Sequence, residues 1–168
     1  MTATLNSPIA AALIAQCQHP RAESLFTVLS LLGISSQLPK LASDLELYDL
    51  LKRGLPNTVI RALMKHTGFT FQELSTALAI TEQTLKRRCL TANRRGRLSS
   101  AQSAAIWQLA VVFMRTQRVM GTPENAKIWL CSEARSMRYR KPIELLALAP
   151  GVEFVSTTLQ RIQHGVYF

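Results

Sequence analysis

The chain has 168 residues, 48% of them apolar, enough for a sizeable core in one domain or one domain with an appended module, and too many for wholesale disorder. Only 18% are charged, but 20 Lys and Arg stand against 10 Asp and Glu, net +10, a balance that suits an anionic partner such as nucleic acid.

The first third is mildly acidic, with two basic and four acidic side chains over residues 1–51. Its apolar stretch from Ile9 to Ala15 follows no Lys or Arg and is far shorter than a bilayer span, so neither a signal peptide nor a transmembrane helix is expected, and a cytoplasmic, membrane-free protein is. Ile9, Leu13 and Cys17 fit one helical face, as do Leu25, Val28, Leu29 and Leu32, and both read as a packing or dimerisation layer. Cys17, Cys89 and Cys131 contain no C-x-x-C pair, which argues against a disulfide framework or a Cys-rich zinc site.

The charge excess lies in the middle, where residues 52–100 carry ten basic and two acidic side chains, densest at Lys86-Arg87-Arg88 and Arg94-Arg95-Gly96-Arg97. Gly54-Leu55-Pro56 predicts the end of one element and the start of a helix, with Pro56 in its first turn, apolar Val59, Ile60, Leu63 and Met64 on one face, and Gly68 at its end. Thr70-Phe71-Gln72-Glu73 has the form of a capping box, flanked by Phe69 and Leu74 as a hydrophobic staple; Ser99-Ser100-Ala101-Gln102 is a second box opening a long run through Ile106, Leu109, Ala110 and Phe113.

Between the two boxes, Phe71–Leu78, a break at Ala79-Ile80 and Thr81–Cys89 predict a helix-turn-helix. Ser75 is small where the helices approach, and Leu74, Leu78, Ile80 and Leu85 supply the apolar lock. Ala79 stands where such a turn usually takes Gly, although Ala resists left-handed backbone. Thr81 caps the second helix, whose polar side would present Glu82, Gln83, Lys86 and Arg87 to a major groove, with Arg94, Arg95 and Arg97 on phosphates. The competing reading is an ordinary helical pair with a solvated basic face.

In the last third, Thr122-Pro123-Glu124 starts a helix through Ala126, Trp129 and Leu130, followed by a basic connection, Arg135, Arg138, Arg140 and Lys141. Pro142 begins a short helix with Ile143, Leu145, Leu146 and Leu148, which Pro150-Gly151 is expected to end. Val152, Val155, Leu159 and Ile162 trace one face of a final helix, a core or dimer contact, and Gly165 terminates it. The closing His164-Gly165-Val166-Tyr167-Phe168 keeps two aromatics where chains usually fray, which points to docking in cis or in trans.

From about Ser43 onward the chain resembles the Xre/MbcA/ParS-type antitoxins that partner RES-domain toxins. The matching pieces are Gly54-Leu55-Pro56, Leu85-Lys86-Arg87-Arg88, Arg97-Leu98-Ser99, Ala126-Lys127-Ile128-Trp129-Leu130, Pro142-Ile143-Glu144-Leu145-Leu146 and Arg161-Ile162-Gln163-His164-Gly165-Val166-Tyr167. The resemblance implies an all-α homodimer that binds operator double-stranded DNA to repress its own operon and neutralises a NAD-consuming or ADP-ribosylating toxin by covering its active site. Two departures stand out: the connection Arg135 to Lys141 is more basic than the usual Gly-containing loop, and Gln163 replaces a frequent acidic residue.

Catalysis would need convergent titratable groups. His19, His66 and His164 are scattered, and no H-E-x-x-H, G-x-S-x-G or Gly-rich phosphate loop occurs, so a non-enzyme without cofactor or metal is expected. The expected architecture is all-α: a helical N-terminal segment (1–53), an Xre-like helix-turn-helix DNA-binding core with its long following helix (54–121) and a small helical C-terminal toxin-binding domain (122–168). Toxin contact is expected from Trp129, Arg135, Arg138, Arg140, Lys141, Arg161, His164, Gly165, Val166, Tyr167 and Phe168. Two other readings stay open: a one-component regulator whose C-terminal module binds a small ligand in a cavity lined by Trp129, Phe154 and Tyr167, and a catalytic protein gripping an anionic substrate.

Overall fold

The computed structural model describes residues 20–35, 44–90 and 96–165; Ile9, Leu13, Cys17, Arg94, Arg95, Val166, Tyr167 and Phe168 lie outside them. The described chain is all-α. Its helices are α1 (Pro20–Leu31), α2 (Asp44–Arg53), α3 (Thr58–Thr67), α4 (Phe71–Leu78), α5 (Glu82–Leu90), α6 (Ser100–Met120), α7 (Pro123–Cys131), α8 (Pro142–Leu145) and α9 (Ala149–Gln163), with a 3-10 turn at Arg135–Met137.

The starts of α4, α6 and α7 are set locally. Thr70 and Glu73 form the reciprocal capping box of α4, Ser99 and Gln102 that of α6, and the Thr122 hydroxyl accepts from the Asn125 amide ahead of Pro123 in α7. Phe69 and Leu74, the staple of α4, are both buried, and the Phe69 ring meets Phe113 of α6 edge-to-face at 5.6 Å.

Helix α6 is the axis of the molecule: α1, α2, α3, α4, α7 and α9 all pack on it. It can serve six neighbours because its buried residues, Ile106, Leu109, Ala110, Val112 and Phe113 among them, face more than one side. Its two buried hydroxyls are satisfied, Ser103 donating to Ser99 O and Thr116 to Val112 O, each at 2.8 Å. Val28, Leu29 and Leu32 of the N-terminal segment join the same apolar cluster as Leu130, Val155 and Leu159 of the C-terminal one, so a single core runs through all three segments.

Two expectations are corrected. Pro56 is not in a first helical turn: it pairs in an antiparallel bridge with Arg97, and α3 starts two residues later. Leu98 N–H donates to Leu55 O (2.8 Å), Asn57 N–H to Gly96 O (3.0 Å), and Leu55 N–H to the Ser103 hydroxyl (2.9 Å), so the chain before α3 is stapled to the chain before α6. Gly54 makes this possible, with φ of +87° and a position where a Cβ would lie 2.1 Å from Leu98 O. Second, Pro150-Gly151 does not end a helix; both residues lie in the first turn of α9. Pro is suited to that turn because it lacks only an N–H the helix leaves unused. Gly151 is required by crowding, since a Cβ there would lie 1.9 Å from Leu145 O.

Candidate functional site

Helices α4 and α5 meet through a tight turn. Ala79 adopts left-handed backbone (φ 51°, ψ 37°) despite its Cβ, and its amide and that of Ile80 close on Ser75 O. Leu74, Leu78 and Leu85 are buried between the helices and the rest of the core, with Ile80 packed at the edge. At the start of α5 the Thr81 hydroxyl lies 2.8 Å from the Thr84 hydroxyl and accepts from the Thr84 amide at 3.4 Å.

With Leu85 as the inward residue, α5 turns Gln83, Lys86 and Arg87 to solvent, while Glu82 is half-buried. Lys86 is not idle: its ammonium is 2.6 Å from the Glu82 carboxylate and 5.9 Å from the centre of the Phe71 ring. An exposed i,i+4 pair of this kind contributes only about 0.3–0.5 kcal/mol, so an incoming phosphate can compete for the lysine.

Three basic residues have structural duties that no local pattern announces. Arg88, in the sequence one member of a charge run, turns back to donate to Arg97 O (3.2 Å), and its Nε is buried without a partner. Arg97, expected on phosphates, donates to Gly54 O at 2.7 Å, which leaves it on the surface with part of its guanidinium committed. Arg61 of α3 donates to Cys89 O, placing a cation at the carbonyl end of α5. These contacts join residues up to 43 positions apart.

The C-terminal candidates fall into two groups. Arg135, Arg138, Arg140 and Lys141 are exposed on one short connection between α7 and α8. Arg161, His164 and Gly165 sit at the far end of α9, roughly 20 Å along the helix from Gly151 at 1.5 Å per residue. Trp129 belongs to neither; it is half-buried against the core. A cavity of about 340 Å³ opens beside the connection, lined by Ser136, Met137, Arg138, Arg140, Leu145, Pro150, Gly151 and Phe154. Phe154 is thus on a cavity, as the small-ligand reading expects, but Trp129 does not line it.

Across the molecule, Glu73 of α4 faces α7. Its Oε2 accepts from the Thr70 amide (2.6 Å) and lies 3.6 Å from Lys127 Nζ, and its Oε1 accepts from the Cys131 thiol at 3.4 Å. Partial burial alone would raise the Glu73 carboxyl, but the hydrogen bonds from Thr70 and Cys131 and the Lys127 charge outweigh it and hold it below the ordinary value. The Cys131 thiol is pushed up to about 11, by burial first and by the neighbouring carboxylate second. Among the described residues no cluster of His, Cys, Asp or Glu could hold a metal ion, and no helix is long and apolar enough to cross a membrane.

Residues 46–111 match the antitoxin Xre-like helix-turn-helix domain, and residues 115–165 match the antitoxin Xre/MbcA/ParS C-terminal toxin-binding domain. The chain therefore carries the domain pair of an Xre-type antitoxin, the antitoxin half of a toxin–antitoxin system. Neither domain family is an enzyme family. Comparison with curated proteins finds no match.

Proposed function

We propose that the protein neutralises a RES-domain toxin, one that consumes NAD or ADP-ribosylates its target, by covering the toxin's active site, and that as a homodimer it binds operator DNA and represses its own operon. The observation that carries the DNA half is the outward face of α5, where Gln83, Lys86 and Arg87 stand exposed on a helix locked from behind by Leu85. Gln suits adenine and Arg guanine in a major groove, Thr81 and Glu82 lie at the helix start that enters first, and Arg94, Arg95 and Arg97 supply phosphate contacts. The toxin half rests on the domain match and on the basic connection from Arg135 to Lys141, with Arg161, His164 and the chain end as a second contact.

Co-expression with the product of a neighbouring gene tests neutralisation: growth is restored by the wild-type protein, and an equal toxicity with and without it overturns the reading. On DNA, Arg87→Ala should cost roughly 1–3 kcal/mol on the operator and little on random duplex. Arg95→Ala should weaken both alike and lower the salt slope by about one. Equal losses on both duplexes for both variants would remove α5 as the reading helix.

A second reading, a one-component regulator with a small ligand, draws on the cavity at Phe154, whose volume of about 340 Å³ falls in the range of small-molecule clefts. A metabolite that raises the melting temperature and shifts operator affinity in the absence of any toxin would favour it.

A further inference from the structure

Three non-glycine residues among those described hold positive φ, and two of them are adjacent: Arg138 (φ 54°) and Tyr139 (φ 59°). L side chains enter this region at a cost, so the surroundings must impose it. They do so through Ala134, whose carbonyl accepts from the Met137 (2.9 Å) and Tyr139 (3.0 Å) amides while its own amide donates to Arg140 O (3.2 Å). Met137 is buried and pins the turn from below. The strained winding holds Tyr139 out to solvent, 65% exposed, between two arginines. Tyr and Arg on a fixed backbone are the residue types that dominate protein–protein binding energy.

The cavity beside this turn is walled by Met137, Leu145, Pro150 and Phe154, with Arg138 and Arg140 as its charged members. Arg135, Arg138, Arg140 and Lys141 form no ion pair or side-chain hydrogen bond with any described residue, although Glu133 lies on the same connection and Glu144 and Glu153 on the helices α8 and α9 that follow it. Leu148 is also strongly exposed, on the stretch joining α8 to α9. The surface thus offers an apolar recess whose edge carries unneutralised positive charge.

We infer that this recess receives an apolar side chain flanked by carboxylates, presented by the protein partner, with Arg138 and Arg140 taking the carboxylates and Tyr139 covering the inserted group. The inference rests on the toxin-binding reading above and names the chemistry of the segment that the partner inserts. A nucleic-acid backbone would satisfy the arginines but leaves Leu145, Phe154 and Tyr139 without an apolar complement, so a protein segment fits the whole surface better.

The test uses the full chain and a fluorescein-labelled short peptide with a central Leu-Phe flanked by Asp and Glu, beside its counterpart flanked by Lys. The acid-flanked peptide should bind about tenfold or more tightly than the Lys-flanked one. Arg138→Glu with Arg140→Glu should abolish the preference, Arg138→Lys with Arg140→Lys should keep most of it, and Phe154→Ala should weaken the acidic peptide while helical circular dichroism stays unchanged. Equal binding of the two peptides, or displacement of the acidic one by duplex DNA, overturns the inference. If the toxin binds the wild-type protein without displacing the peptide, the recess is not the toxin's and the inference falls while the antitoxin reading stands. If no toxin binds but the peptide preferences hold, the antitoxin reading falls and the recess chemistry stands.

Discussion

Lys127 Nζ lies 3.6 Å from the Glu73 carboxylate and also donates to Gly68 O, so one lysine of the toxin-binding domain holds both the carbonyl end of α3 and the amide end of α4 in the helix-turn-helix domain. The two matched domains are therefore joined by a polar clasp as well as by the shared core on α6. The pair is only partly buried, its side chains 31% and 26% exposed, so its own contribution is modest. A double-mutant cycle between Lys127→Met and Glu73→Gln should return a coupling of about 0.5–1 kcal/mol in urea unfolding, falling with added salt.

The same carboxylate makes stability depend on acid. Its folded pKa lies below the unfolded one, so its contribution is fully present above the ordinary carboxylate range and is lost as pH falls toward and through the folded value. Glu73→Gln should leave stability at pH 7 lower than wild type and flatten the decline below about pH 4.5, the carboxylate's ordinary value. Identical pH profiles for the two proteins would show that Glu73 is not held this way.

Cys131 should be a slow nucleophile. With its thiol raised from 9.0 to about 11, the thiolate fraction at neutral pH is about a hundredth of that of an unperturbed thiol. Alkylation followed by peptide mass spectrometry should find Cys131 modified late under native conditions, and Glu73→Gln should speed it by removing the adjacent charge.

At the turn of the helix-turn-helix, Ala79→Gly should stabilise the fold. Left-handed backbone costs an Ala roughly 1–2 kcal/mol, and the extra freedom of Gly in the unfolded chain returns about 0.4–1 kcal/mol of that. A net gain of about 0.5–1 kcal/mol in chemical denaturation, with operator affinity unchanged, is expected. By contrast Gly151→Ala should destabilise by about 2 kcal/mol or more, because its Cβ would meet the Leu145 carbonyl at 1.9 Å.

Ending the chain before Thr122 should do more than remove toxin binding. It strips α7 and α9 from α6 and α7 from α3, so the remaining piece should lose cooperative thermal unfolding, whereas the full chain should melt in one transition. Two separate transitions in the full chain would show that the segments fold independently.

Much of the helix-turn-helix is legible in the sequence alone. Thr70 with Glu73, Ser99 with Gln102 and Thr122 with Asn125 act within one helical turn, and caps depend on hydrogen bonds three residues long, so recognising them needs no knowledge of the fold. The apolar spacing of Leu74, Leu78 and Leu85 likewise announces which faces turn inward, and the outward positions of Gln83, Lys86 and Arg87 follow from it.

Residues with two local meanings are decided elsewhere in the molecule. Pro56 and Pro150 each allow a stop or a start, and the choice comes from pairing with Arg97 in one case and from the crossing of Gly151 over Leu145 in the other. Arg88 and Arg97 have the local pattern of plain surface charge, and they gain carbonyl partners only because the chain before α3 lies against the chain before α6. The recess beside Arg138 and Arg140 and the Lys127–Glu73 clasp belong to the same class, since the first requires α8 and α9 to be laid beside the connection after α7 and the second requires α7 to be laid against α4. Torsional preference and capping act over a few residues and are written in the chain itself; packing acts between segments, and only the assembled core on α6 brings those segments within reach.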